Sequence, residues 1–134
     1  MPIWVRVLVA FVVFCHGFIY IRIGSVLPSP IKEGKGTSWL LGSAIMDGRL
    51  TALVVALHVV AGMAIVASAL AIGFAPLVPG WWRPLAVIGS VLGVGAFAVF
   101  WDGQTELLFK EGVAGAVLSM IFLAFTLVFP SAVD

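Results

Sequence analysis

Residues 50–74 read LTALVVALHVVAGMAIVASALAIGF, a run of consecutive positions without a single Asp, Glu, Lys or Arg. A helix needs about 20 mostly apolar residues to cross a hydrocarbon core roughly 30 Å thick. In hydrocarbon no water satisfies a stray N–H or C=O, so a spanning segment of this kind is a helix and not an open strand. This stretch therefore predicts a transmembrane helix, and the rest of the chain repeats its pattern.

Working outward, three more segments approach the same length: about Ile3–Ile23, Pro84–Trp101 and Gly112–Phe129. The interruptions carry helix-breaking pairs. Leu27-Pro28-Ser29-Pro30 and the charged run Lys32–Gly36 lie in a long first loop, 24–49. Ala75-Pro76 and Pro79-Gly80 close the second span, and Trp101-Asp102-Gly103 the third. The expected architecture is all-α, a single membrane domain over 1–134 whose four transmembrane helices form an up-down-up-down bundle. The apolar first segment continues to Ile23 without a small-residue cleavage site, so it reads as retained, not as a signal peptide.

Composition agrees. Of 134 residues 63% are hydrophobic and 10% charged, where soluble domains carry about a quarter charged residues. A net charge of +1 without a basic block leaves no nucleic-acid surface. The lone Cys15 can form no intrachain disulfide and no thiolate zinc site, and it reads as a small core hydrophobe. Indole rings favour the headgroup zone, and all five tryptophans fall at predicted boundaries. Trp4, Trp81 and Trp82 belong to one interface, Trp39 and Trp101 to the other. Arg22, Lys32, Lys35, Arg49 and Lys110 outnumber Arg6 and Arg83. By the positive-inside rule this puts both termini outside the cytoplasm, in a multi-pass protein of the cell (inner or plasma) membrane.

Small residues mark packing faces. Gly89 and Gly93 form a GxxxG on the third span, and Gly112, Gly115 or Ala116, Ser119 and Thr126 follow one stripe of the fourth. Such stripes bring membrane helices close, and here they read as contacts within one chain.

Ionisable residues inside a span are costly, and they are functional candidates by default. His16 lies seven residues before Ile23 and His58 seven after Thr51. In antiparallel helices both imidazoles then sit at one depth, roughly 10 Å below the same surface at about 1.5 Å per residue. His16 and Tyr20 share a face at i, i+4. Asp102 ends the third span on that side and Glu111 precedes the fourth. The candidate ligand-binding set is thus His16, Tyr20, His58, Asp102 and Glu111.

Four readings stand. The histidines are buried and hydrogen-bonded, fixing helix register. Alternatively the cluster lines a pocket for a small lipophilic ligand, with the first loop as a lid. It could instead hold b-type haem between His16 and His58 for electron transfer, with Arg22 near the propionates. The last is a path for protons or ions. No resident cofactor or metal site is otherwise expected. A small-bundle membrane enzyme on a lipophilic substrate would draw its acid and base from the same groups. No Walker loop, G-x-S-x-G, H-E-x-x-H or C-x-x-C-H motif is present, so no catalytic residue is assigned. The expected partners are the lipid bilayer, a small lipophilic ligand, and another membrane protein or further copies of this chain.

Pro79-Gly80-Trp81-Trp82-Arg83-Pro84-Leu85, an apolar span ending Phe100-Trp101-Asp102-Gly103, and a glycine-led last helix resemble a group of small uncharacterised four-span prokaryotic membrane proteins. Some of these are loosely labelled permeases, and the layout is distantly similar to DoxX-like proteins. His16-Gly17 resembles that group's first helix, whereas Tyr20 stands where a second histidine often appears. The resemblance implies fold and location but no activity. Four spans also make a thin bundle for a transport path.

Overall fold

A computed structural model of the chain describes residues 2–25, 38–40, 48–74, 80–101 and 112–129. Its helices are α1 (Ile3–Ser25), α2 (Gly48–Gly73), α3 (Trp82–Phe100) and α4 (Val113–Val128). They fall on the four predicted spans. Three of them, over Ile3–Gly24, Ala52–Gly73 and Trp82–Phe100, are long and apolar enough to cross a membrane. The fourth is an apolar helix of 16 residues, about 24 Å at 1.5 Å per residue. Gly112 starts it in the left-handed region at φ 98°, a conformation that costs glycine nothing.

The helices alternate in direction. Along α1 and α2, Ala10 faces Gly73, Gly17 faces Gly62, and Gly24 faces His58 and Val55, so one chain descends as the other rises. Along α2 and α3, Ser68 pairs with Trp82 and Ala61 and Ile65 pack on Gly89. From α1 to α4, Ile23 meets Gly112 and Tyr20 meets Gly115. The result is the expected up-down-up-down bundle.

Close backbone contact holds it. A Cβ added to Gly62 would lie 2.6 Å from the Gly17 carbonyl oxygen, and one added to Gly17 would lie 2.8 Å from the Gly62 oxygen. The α1–α2 seam thus tolerates no side chain at its centre. The GxxxG of α3 works within the chain as expected, Gly89 receiving Ile65 of α2 and Gly93 receiving the Tyr20 ring. One interior cluster gathers Val13, Tyr20, Ile65, Ile72, Trp82 and Phe122, and a smaller one Val54, Ala96 and Phe100.

The outward faces are as apolar as the interior. Phe11, Phe18, Leu53, Val60, Leu70, Ile88, Val91, Ile121 and Leu127 are all exposed. A surface of this extent cannot be wetted, and with helices of these lengths it makes the chain a membrane protein.

Two expectations need correction. Trp82 was placed at the interface with Trp81, but only Trp81 is exposed. Trp82 is fully buried, a member of the same interior cluster as Ile65, Ile72 and Ala86. Cys15, expected in the core, is exposed. It follows Phe14 and precedes His16 on α1, and the inward phase falls to Val13, His16 and Tyr20.

The other tryptophan pair holds. Ser38 and Trp39, in the first loop, donate from Ser38 Oγ to the Val99 carbonyl and from Trp39 Nε1 to that of Ala98. The Trp39 N–H donates to the Trp101 carbonyl at 2.8 Å. The last carbonyls of a helix have no partner in their own helix, so this part of the long loop satisfies the end of α3. The Trp39 and Trp101 rings lie 6.4 Å apart above it.

Candidate functional site

Tyr20 stands at the meeting point of the four helices. Its side chain is 1% exposed, and its ring fills the space left by Gly93 on α3 and Gly115 on α4. The His16 ring meets it edge-on at 5.3 Å from α1, and the His58 ring lies at 6.0 Å from α2. Three of the five predicted site residues are therefore together. Asp102 and Glu111 lie outside the described residues.

The depths match as predicted, but deeper, since both helices run past their expected ends. His16 is nine residues from Ser25 and His58 ten from Gly48, about 14 and 15 Å at 1.5 Å per residue. Both imidazoles are thus near the middle of helices that cross a core roughly 30 Å thick.

The two histidines are held differently. His58 Nδ1 donates to the Val54 carbonyl one turn back on its own helix, at 2.8 Å. His16 reaches across the bundle, its Nε2 lying 3.0 Å from Ser119 Oγ on α4. Ser119 Oγ is also 3.2 Å from the Tyr20 hydroxyl. Sequence reasoning placed Ser119 on the small-residue stripe and missed it as a site residue. Its signal was a hydroxyl in an apolar span on the same stripe as Gly115.

His16 Nδ1 is buried and has no hydrogen-bond partner among the described residues. A buried polar atom without a partner costs about 1–3 kcal/mol, and few native atoms are left so. Ser90 Oγ on α3 shares this condition.

Beside His16 the bundle opens. α1 and α4 touch little, and between them runs a groove of about 590 Å³. Its walls include Leu8, Val12 and Ile19 from α1 and Leu118, Ile121 and Phe125 from α4, with Cys15 and His16 as the lining residues that carry a hydrogen-bonding atom in the side chain. Phe11, Val12, Leu118 and Ile121 in these walls are exposed, so the groove faces the lipid. Its size falls within the range of small-molecule pockets, about 300–1,000 Å³.

A haem between His16 and His58 would have to take the place of the Tyr20 ring, which touches both imidazoles. Among the described residues no group of three His, Cys, Asp or Glu is arranged to hold a metal.

No family model matches the chain, and neither a curated protein nor a solved structure matches it.

Proposed function

We propose that this membrane protein binds a small lipophilic molecule, taken from the bilayer into the groove between α1 and α4. The observation that carries the reading is the coincidence of an apolar groove of about 590 Å³ with a nine-tenths-buried histidine in its wall whose Nδ1 lacks a partner. An apolar recess with a few placed polar groups is the usual form of a small-molecule site. Bilayer lipid supplies the body of such a ligand at high local concentration, and α1 and α4 leave its path open. The site sits on the half of the set built by His16 and Tyr20. His58, closed on Val54, serves helix register.

The test uses 4-octylbenzophenone as a photoreactive probe in protein-loaded nanodiscs. Illumination inserts its carbonyl carbon into nearby C–H bonds, and mass spectrometry locates the adducts. The expected adducts concentrate on Val12, Ile19, Leu118 and Ile121. Leu118→Trp, which fills the groove from its exposed side, lowers them about tenfold, the loss that corresponds to about 1.4 kcal/mol of binding. Adducts spread evenly over Leu53, Val60, Ile88 and Val91 would mean that the groove is ordinary lipid-facing surface.

A further inference from the structure

The position of the groove along its two helices decides what kind of molecule fills it, an inference that rests on the ligand-binding reading above. On α1 the lining runs from Leu8 to Ile19, and on α4 from Leu118 to Phe125. The membrane span of α1 is Ile3–Gly24, so Leu8 and Ile19 each stand five residues from an end of it. α4 covers Val113–Val128, and its lining begins five residues from one end and stops three from the other. The groove is therefore centred on the middle of both helices, at the midplane of the bilayer that α1 crosses. Toward the Ser25 end it is closed, because Tyr20 meets Gly115 and Ile23 meets Gly112 just beyond it.

A phospholipid is tied to one surface by its headgroup, and half of a core about 30 Å thick is about 15 Å. Its chains end near the midplane, so chain ends from opposite leaflets meet where the groove has its centre. The gap between two ends leaves wall atoms without neighbours and forfeits their dispersion contacts. One chain that crosses the midplane fills the groove without a break. Within the groove that chain carries no polar group. Cys15 and His16 are the lining residues with a hydrogen-bonding atom, and Ser119 already engages His16 Nε2. A polar group brought among the Leu, Val, Ile and Phe side chains of the other walls is stranded, which is costly.

Width adds a second condition. The lining covers eleven steps along α1, about 16.5 Å at 1.5 Å per residue, so a volume of about 590 Å³ gives a mean width of roughly 6 Å. Carbon atoms in contact lie about 4 Å apart, and a single straight chain leaves slack in such a groove. A chain with methyl side branches takes it up. Lipid gives no hydrophobic drive for leaving lipid, so selection rests on this fit. We infer that the groove holds the methyl-branched hydrocarbon tail of an isoprenoid-type lipid, laid across the bilayer midplane.

The experiment compares pristane, a saturated isoprenoid hydrocarbon, with its straight-chain isomer nonadecane, in nanodiscs of fixed phosphatidylcholine composition with and without the protein. Discs are separated by size and their hydrocarbon content per lipid is measured by gas chromatography. The protein is expected to enrich pristane about fivefold over nonadecane, the scale that several recovered van der Waals contacts at each methyl branch supply. Leu118→Trp removes the enrichment. On the unmodified protein, pristane also suppresses 4-octylbenzophenone adducts at Val12 and Ile121 more than nonadecane does, a readout that stands even if Leu118→Trp fails to fold. Equal enrichment of the two isomers overturns the branched tail and leaves the ligand-binding reading standing. Enrichment of neither, with photoadducts still concentrated on the groove walls, overturns the hydrocarbon occupant alone. Enrichment of neither, with adducts spread evenly over the lipid-facing surface, overturns both.

Discussion

α1 makes two seams, and they differ in kind. Against α2 it packs backbone to backbone, Gly17 on Gly62, with no space for a methyl group. Against α4 it leaves a groove of about 590 Å³, bridged deep inside by His16, Ser119 and Tyr20. In a bilayer no hydrophobic force pushes helices together, because lipid is as apolar as leucine. Close packing must do it on one side. On the other a short polar relay suffices, and the gap it leaves is open to whatever the bilayer contains. The first seam holds the fold, and the second is where selection of a ligand can be built.

The strongest way to break this contrast is to load the tight seam. Gly62→Leu drives a side chain into the Gly17 carbonyl and the Ile21 backbone, and neither can yield without separating the helices. Overpacking of well-packed cores costs about 1–3 kcal/mol, occasionally more, and a backbone clash belongs at the upper end. The expected outcome is loss of a monodisperse folded species in detergent, seen by gel filtration and circular dichroism. Gly95→Leu is the control, since nothing lies within 4 Å of a Cβ built there. If both variants fold equally well, the glycine seam is not what holds α1 to α2.

A smaller effect is expected at the open seam. Ser119→Ala removes the centre of the relay and leaves both His16 Nε2 and the Tyr20 hydroxyl without their shared partner. Stranding buried polar groups costs about 1–3 kcal/mol each. Measured interhelical hydrogen bonds in membranes average only about 0.6 kcal/mol, so a total near 1–2 kcal/mol is expected in reversible denaturation. The fold remains, since the Gly17–Gly62 contact is untouched. A loss as large as that of Gly62→Leu would mean that the relay, not the glycine seam, is the main tie of the bundle.

The two seams were not equally legible in the sequence. Spans, breaks and direction follow from long apolar runs and Pro-Gly pairs, which act locally. The common depth of His16 and His58 was visible because depth along antiparallel helices is a matter of counting residues, but that their faces meet at Tyr20 was not. The groove was not visible. Leu8, Val12, Ile121 and Phe125 line it, but residues of the same types face lipid elsewhere, and a helix apolar all round gives no sign of which stripe is packed. Ser119 was hidden for a related reason, as serine in a membrane helix is equally a small packing residue and a hydrogen-bonding one. Trp82 was misread because an indole at a span's end satisfies the interface rule whichever way the first turn points it.

The smallest predicted effect is also the one that best resolves the relay. Tyr20→Phe keeps the ring that fills the space between Gly93 and Gly115 and deletes only the hydroxyl. Ser119 Oγ keeps its hydrogen bond with His16 Nε2, so no imidazole nitrogen is newly stranded. The expected cost is under about 1 kcal/mol, in line with single interhelical hydrogen bonds in membranes. It should be smaller than that of Ser119→Ala measured under the same conditions. A cost equal to or above that of Ser119→Ala would require a further partner for the Tyr20 hydroxyl.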